Sequence, residues 1–178
     1  MSRAVGDAAA PEPAGAASAA DAEPSPHPGP SSVVLPPAIR DALIEHARAE
    51  YPNEACGLIV GSAPAADAGR ALRFVPTRNA AASPYRYEIH PDDLLRVSLA
   101  VDEADQAIWG IVHSHVRSPA RPSPTDLGLA FYPDALYLLV SLADSEADPS
   151  TGLPGVRAWR IVDGAANEVT LRVEAAAP

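Results

Sequence analysis

The run ALYLLVSLA at positions 135–143 is almost entirely apolar. This composition is typical of a central strand that is covered on both faces, because a half-exposed strand alternates apolar and polar side chains. A strand of this kind needs neighbouring strands beside it and other elements above and below it. The run therefore favours a sheet that is buried between layers of helix.

Apolar patterning, with glycine and proline at the boundaries, predicts six further strands and three helices. The other predicted strands are residues 55–61, 71–76, 85–89, 107–115, 156–162 and 167–173, and Asp163-Gly164 is a turn signal between the last two. The predicted helices are residues 36–51, residues 91–105 and a short helix from Ser123 to about Tyr132. Together these elements predict an α+β domain with a mixed sheet packed between helices.

The first two helices are predicted to be amphipathic. In the first helix, residues with helical spacing predict a buried side made of Ile39, Leu43, Ile44 and Ala47. The second helix begins at Pro91 and has Asp92 and Asp93 in its first turn, where negative charge is favoured. Its predicted apolar side consists of Leu94, Leu95, Val97, Ser98 and Val101.

Residues 1–32 differ in composition from the rest of the chain. They are mainly Ala, Pro, Gly and Ser with scattered acidic residues and almost no large apolar side chains. Such a segment buries too little apolar surface to offset the entropy lost on ordering. We therefore predict a disordered tail at residues 1–32 and a single domain at residues 33–178.

Charge and cysteine content exclude several classes of protein. The formal net charge of −10 argues against a nucleic-acid partner, because phosphate binding needs clustered basic residues. A single cysteine argues against a disulfide framework. No apolar run reaches the roughly 20 residues of a transmembrane helix, and no signal peptide is indicated. The expectation is a cytoplasmic protein without a membrane partner, whose oligomeric state, including a homodimer, stays open.

The segment HSHVRSPARPSPTD, residues 113–126, carries the candidate chemistry. His113 and His115 lie at the end of a predicted strand, so their side chains point to the same side and can share a metal ion. Imidazoles and a carboxylate such as Asp126 are typical zinc ligands. Ser123 and Asp126 also fit a helix start, with Ser123 as the N-cap, and the two interpretations are compatible.

The pattern of these four residues resembles the signature of the JAMM (MPN+) zinc metallopeptidases, and the resemblance covers roughly residue 37 to the C-terminus. It implies the JAB/MPN fold, a three-layer arrangement like that of deaminases. It also implies one Zn²⁺ per chain, with His113, His115 and Asp126 as ligands. Glu54, in YPNEACGLIVG, matches the upstream glutamate that acts as general acid and base, and Ser123 matches the serine that assists the oxyanion.

The resemblance also implies a class of substrate. JAMM enzymes cleave amide or isopeptide bonds next to the C-termini of ubiquitin-like proteins, and this chain is most similar to their compact bacterial branch. YPNEACGLIVG, the HSH segment and VRAWRIVDG resemble the Mec-type hydrolases, which release cysteine from a sulfur-carrier protein of ubiquitin fold. The alternatives are a processing protease or isopeptidase for a ThiS- or MoaD-like carrier or a ubiquitin-like tag, and a non-catalytic partner-binding module stabilised by metal.

Other polar residues near the motif have less specific interpretations. Ser114 is expected to be packed or bonded behind the site, and Cys56 is expected to be a small core residue. His46 and His90 are expected to be structural, near a helix end and a helix start. Arg117 and Arg121 lie in the loop within the motif. The sequence is equally compatible with two roles for them: contact with a substrate carboxylate or an acidic partner surface, and simple solvation.

Overall fold

The structure is a computed structural model that describes residues 29–175. Its strands are β1 (Ser32–Leu35), β2 (Cys56–Gly61), β3 (Ala71–Thr77), β4 (Ala107–His115), β5 (Leu136–Ser141), β6 (Gly155–Val162) and β7 (Ala165–Val173). Its helices are α1 (Pro37–Ala49), α2 (Pro91–Glu103) and α3 (Pro124–Gly128), with short 3-10 turns at Ala65–Asp67 and Asp144–Glu146.

The strands within residues 29–175 form one seven-stranded sheet in the order β1, β7, β6, β5, β4, β2, β3. The pairs β1–β7 and β4–β5 are parallel, and the other neighbouring pairs are antiparallel. Asp163 and Gly164 both have positive φ, 50° and 74°, as a tight hairpin turn between β6 and β7 requires. The predicted mixed sheet and the predicted turn are confirmed.

Each face of the sheet is covered by one long helix. Helix α1 buries the four predicted apolar residues, Ile39, Leu43, Ile44 and Ala47, in a core cluster that also contains Trp109 and Leu138. Helix α2 contributes Val97 and Val101 to the cluster on the opposite face. Strand β5 lies between the two clusters and is buried throughout, as its apolar sequence predicts.

The predicted apolar side of α2 is partly wrong. Val97 and Val101 are buried, but Leu95 is 61% exposed and Leu94 is only half-buried. Asp93 takes a buried position instead, because Arg78 donates to its carboxylate from both its backbone N and its guanidinium. Because the buried side of α2 runs through Asp93, Val97 and Val101, Leu95 lies on the opposite, solvent-facing side of the helix.

The predicted strand at residues 85–89 is wrong. These residues make only an isolated bridge between Ile89 and Asn79. The side chain of Asn79 bonds the backbone of Ala81, Arg86 and Glu88 in the same segment. A side chain that takes up backbone partners in this way competes with strand pairing.

Strand β1 was not predicted, because its four residues are followed directly by prolines and carry no long apolar pattern. It begins at Ser32, one residue before the predicted domain start, and pairs with the distant strand β7. The rest of the predicted tail up to residue 28, and residues 176–178, lie outside the described part of the chain.

Helix α3 is shorter than predicted and ends at Gly128 instead of near Tyr132. Pro133 disfavours helical backbone at the residue before it, and the Tyr132 N–H donates to the Tyr137 hydroxyl instead of to a helical carbonyl. None of the helices within residues 29–175 combines the length and apolarity needed to cross a membrane.

The sheet places three chain segments at one edge of the protein. Strands β4 and β5 are parallel, so their carboxyl ends lie together, with His115 beside Ser141. Strand β2 is antiparallel to β4 and starts with Cys56 opposite His113. Glu54, two residues before β2, is therefore brought beside the end of β4.

We expect Leu138→Ala to lower the free energy of unfolding by about 2–5 kcal/mol, because Leu138 is fully buried in the central strand and its loss leaves a cavity. Leu72→Ala is the matched control, since Leu72 lies on the edge strand β3 and is 45% exposed. Denaturant unfolding of both variants measures the difference. Equal losses for the two would contradict the assignment of β5 to the centre of the core.

Candidate metal centre

Strand β4 carries two histidines that point to the same face of the sheet. The rings of His113 and His115 lie with their centroids 5.0 Å apart, and their Nε2 atoms are 3.2 Å apart. Ser114 between them points to the other side, where its Oγ accepts from the Ala55 N–H at 2.8 Å. The Ser114 N–H also donates to the Ala55 carbonyl, so the prediction that Ser114 is bonded behind the site is confirmed.

Asp126 reaches the two histidines from the first turn of α3. Its Oδ1 is 3.4 Å from Nε2 of His113, and its Oδ2 is 3.6 Å from Nε2 of His115. All three side chains are buried. The structure therefore brings these three residues together, and their role as metal ligands stays a prediction.

The donor atoms of His113, His115 and Asp126 fit a metal ion. Two ligands of a tetrahedral zinc ion with bonds of about 2.0–2.1 Å lie about 3.3 Å apart. The two Nε2 atoms are 3.2 Å apart, and each imidazole has one carboxylate oxygen at a similar distance, Oδ1 of Asp126 at 3.4 Å from His113 and Oδ2 at 3.6 Å from His115. Two imidazole nitrogens and one carboxylate oxygen are also the donor types that zinc binds, and three ligands leave a tetrahedral position open.

Hydrogen bonding and burial favour a neutral imidazole at His113 and an ionised carboxylate at Asp126. Nδ1 of His115 donates to the Pro119 carbonyl at 2.7 Å, which directs Nε2 of the same ring toward His113 and Asp126. Burial lowers the pKa of His113 and so favours its neutral form. Although burial opposes ionisation of Asp126, hydrogen bonds from the two histidines hold its pKa well below the usual range. A neutral imidazole and an ionised carboxylate are the forms that bind metal.

The site favours positive charge. Burial opposes protonation of His115, but the hydrogen bonds to Asp126 and to the Pro119 carbonyl, together with the charge of Glu54, outweigh it and raise the pKa of His115. The two buried acids beside the histidines, Glu54 and Asp126, have no Arg or Lys paired to them within residues 29–175. A divalent cation would supply the missing positive charge.

Asp126 and Ser123 also start helix α3, as the sequence predicted. The Ser123 Oγ accepts from the Asp126 N–H at 3.2 Å, and Oδ2 of Asp126 accepts from the Ser123 N–H at 2.6 Å, which completes a capping box. The Ser123 hydroxyl acts as an acceptor in this bond, so its proton is free to be donated elsewhere. The cap and a role at the metal centre are therefore compatible, and the oxyanion role of Ser123 stays a prediction.

Glu54 is buried beside the metal centre. Burial raises its pKa to about 7, with an opposing effect from His115 and a reinforcing one from Asp126. A carboxyl group with a pKa near neutral can both accept and return a proton at physiological pH. Its backbone is held on both sides, since its N–H donates to the Ser83 carbonyl and its carbonyl accepts from Nδ2 of Asn79, each at 2.9 Å.

Sequence reasoning missed two residues beside the site, Asn79 and Tyr87. Tyr87 stacks on the His113 ring with centroids 4.3 Å apart and an interplanar angle of 16°. It was assigned to the strand that the structure lacks, and Asn79 was taken for part of a polar connection. A polar Asn just after a strand is a signal for side-chain bonding to the backbone and could have indicated the local turn.

The other candidates lie where the sequence placed them. Cys56 is buried, with its Sγ 3.3 Å from Oγ1 of Thr77, and burial raises its pKa to about 11, as expected for a core thiol. Nε2 of His46 donates to the Cys56 carbonyl, and Nδ1 of His90 accepts from the Asp92 N–H as the cap of α2, so both histidines are structural. The Arg117 and Arg121 side chains are exposed.

Comparisons with known proteins agree with this geometry. The family model described as prokaryotic homologs of the JAB domain matches residues 36–162. The chain is 38% identical over 133 residues to the CysO-cysteine peptidase of Mycobacterium tuberculosis, which covers 75% of this chain and 85% of that protein. It is 34% identical over 107 residues to the desampylase of Haloferax volcanii, which covers 57% of this chain and 75% of that protein.

A solved structure shares the fold. The solution structure of a protein from Desulfitobacterium hafniense has a TM-score of 0.68 at 30% identity, covering 81% of this chain and 94% of the other. The matched family model runs from before Glu54 to beyond Asp126 and so includes the whole candidate metal centre. The chain therefore belongs to the family of prokaryotic JAB (JAB/MPN) domain proteins.

Proposed function

We propose that the protein is a zinc-dependent peptidase that cleaves the amide bond after the C-terminal glycines of a ubiquitin-fold sulfur-carrier protein, releasing cysteine or a short extension. The observation that carries the proposal is the convergence of donor atoms from His113, His115 and Asp126 beside the buried Glu54. The names of the related CysO-cysteine peptidase and desampylase support a peptidase activity and this class of substrate. A cytoplasmic location stays a prediction.

His113, His115 and Asp126 would hold the zinc ion. When bound, zinc supplies Lewis acidity, which polarises an amide carbonyl and makes water a stronger nucleophile at neutral pH. Glu54 accepts a proton from the attacking water and returns it to the nitrogen of the leaving amine. The Ser123 hydroxyl donates a hydrogen bond to the oxygen that becomes negative as water attacks the carbonyl.

Two alternatives remain distinct from the proposal. The desampylase relative favours a processing protease or isopeptidase for a ThiS- or MoaD-like carrier or a ubiquitin-like tag, which would use the same residues on a longer leaving group. A non-catalytic partner-binding module would use the metal only for structure. The buried position of Glu54 next to the three donor side chains, without being one of them, favours the catalytic readings, because a purely structural metal site has no need of a further carboxylate beside it.

We expect wild-type protein to bind about one zinc ion per chain, as a three-ligand site with one open position implies. It should also shorten a ubiquitin-fold carrier extended by one cysteine after its glycines, and a chelator should abolish this activity. Metal analysis and mass spectrometry of the carrier measure both properties. Zinc binding without any cleavage of this carrier would refute the proposed substrate and direct attention to longer conjugates, whereas absence of zinc would refute the metal centre itself.

Glu54→Gln should lower kcat by about 100-fold or more, because the amide cannot carry the proton between water and the leaving amine. Its zinc content should match wild type, since Glu54 is not one of the three converging ligands. His113→Ala is the contrasting variant and should lose both zinc and activity. A Glu54→Gln enzyme with full activity would show that another group transfers the proton.

Ser123→Gly separates the capping role of Ser123 from its proposed catalytic role. Glycine is nearly as good an N-cap as serine, so the free energy of unfolding should fall by only a few tenths of a kcal/mol. Loss of the hydroxyl donor should lower kcat by about 100-fold. Ser123→Thr keeps both the hydroxyl and the cap and should restore most of the activity. If Ser123→Gly retains wild-type kcat, Ser123 acts only as a cap.

A further inference from the structure

The segment that connects β3 to α2 lies over the candidate metal centre and is organised by one side chain. We call residues 79–89 the cover segment. Nδ2 of Asn79 donates to the carbonyls of Glu54 and Arg86, and Oδ1 of Asn79 accepts from the N–H groups of Ala81 and Glu88. All four hydrogen bonds that an amide side chain can make are therefore used.

The cover segment takes the place of a sheet partner for Glu54, which lies two residues before the start of β2. The Glu54 N–H donates to Ser83, and its carbonyl accepts from Asn79. Both backbone groups of Glu54 are thus bonded to the cover segment. The next residue, Ala55, is bonded through its N–H and its carbonyl to Ser114 of β4. The cover segment therefore holds Glu54, and the strand that carries the two histidines holds Ala55.

Tyr87 of the cover segment holds the ring of one proposed ligand. Its own ring lies nearly parallel to that of His113 at a centroid distance of 4.3 Å. A metal-binding histidine usually has its second ring nitrogen fixed by a hydrogen bond. His115 has such a bond to Pro119, but Nδ1 of His113 is buried and has no hydrogen-bond partner within residues 29–175. The stacked face of Tyr87 is therefore a contact that restricts the plane of the His113 ring where a hydrogen bond at Nδ1 is lacking.

We propose that Asn79 and Tyr87 are positioning residues of the metal centre: Asn79 folds the cover segment, and Tyr87 thereby holds the His113 imidazole in the orientation that binds the metal. The inference deepens the proposed function and rests on the metal centre described for it. Neither residue touches the reacting atoms. Stacking on Tyr87 orients His113, as the hydrogen bond to the Pro119 carbonyl orients His115.

Tyr87→Leu should weaken zinc binding by about tenfold, the lower end of the loss that follows removal of a group supporting a metal ligand. Tyr87→Phe keeps the stacked ring and should bind zinc as tightly as wild type. Tyr85→Leu is the matched control in the same segment, because Tyr85 is 87% exposed and should leave zinc binding unchanged. Competition with a chromophoric chelator measures the affinities, and cobalt(II) absorption spectra report the geometry of the ligands.

Wild-type affinity and spectrum in Tyr87→Leu would overturn the proposal, whereas a wild-type protein that binds no metal would overturn the proposed function instead. Asn79→Ala tests the other half of the inference. If Asn79 acts through Tyr87, its loss should weaken zinc binding, and the double variant Asn79→Ala/Tyr87→Leu should be no weaker than the weaker single variant. Multiplicative effects of the two substitutions would show that Asn79 does not act through Tyr87.

Discussion

The pairing of β4 between β2 and β5 is the constraint on which the rest of the site depends. The parallel partner β5 fixes the end of β4, where the Leu142 N–H donates to the His115 carbonyl. The antiparallel partner β2 sets Cys56 opposite His113 and so determines where Glu54 enters the site. Because β5 is buried on both faces, a shift of register would exchange its side chains between the two core clusters and disrupt the packing of both. The packing of these strands in the core therefore holds the residues of the site in place.

The site concentrates ionisable groups where burial is costly. Glu54, His113, His115 and Asp126 are all buried, and burial displaces the pKa of Glu54 upward and that of His113 downward. Groups of this kind are tolerated when they are paired with one another or with a metal ion. Burial of these groups lowers the free energy of unfolding, and the apolar clusters on the two faces of the sheet offset that loss.

Local patterns in the sequence predicted much of this arrangement. The spacing of Ile39, Leu43, Ile44 and Ala47 placed α1 on the sheet, and strand alternation placed His113 and His115 on one face. The failures involve interactions that periodicity does not encode. Strand β1 exists because a distant strand offers it a parallel edge, and residues 85–89 are not a strand because Asn79 bonds their backbone. The stacking of Tyr87 on His113 is likewise a contact between segments far apart in the chain.

The capping box of α3 links helix formation to the site. A helix of five residues does not form by itself, because nucleation costs more than so few backbone bonds return. The position of Asp126 beside the histidines therefore depends on the pairing of β4 and β5 and on the loop between them. The three ligands come together in the native state alone, so a bound ion adds its binding free energy to the folding equilibrium. If the site binds a metal ion as proposed, the supply of metal would therefore influence what fraction of the chain is folded.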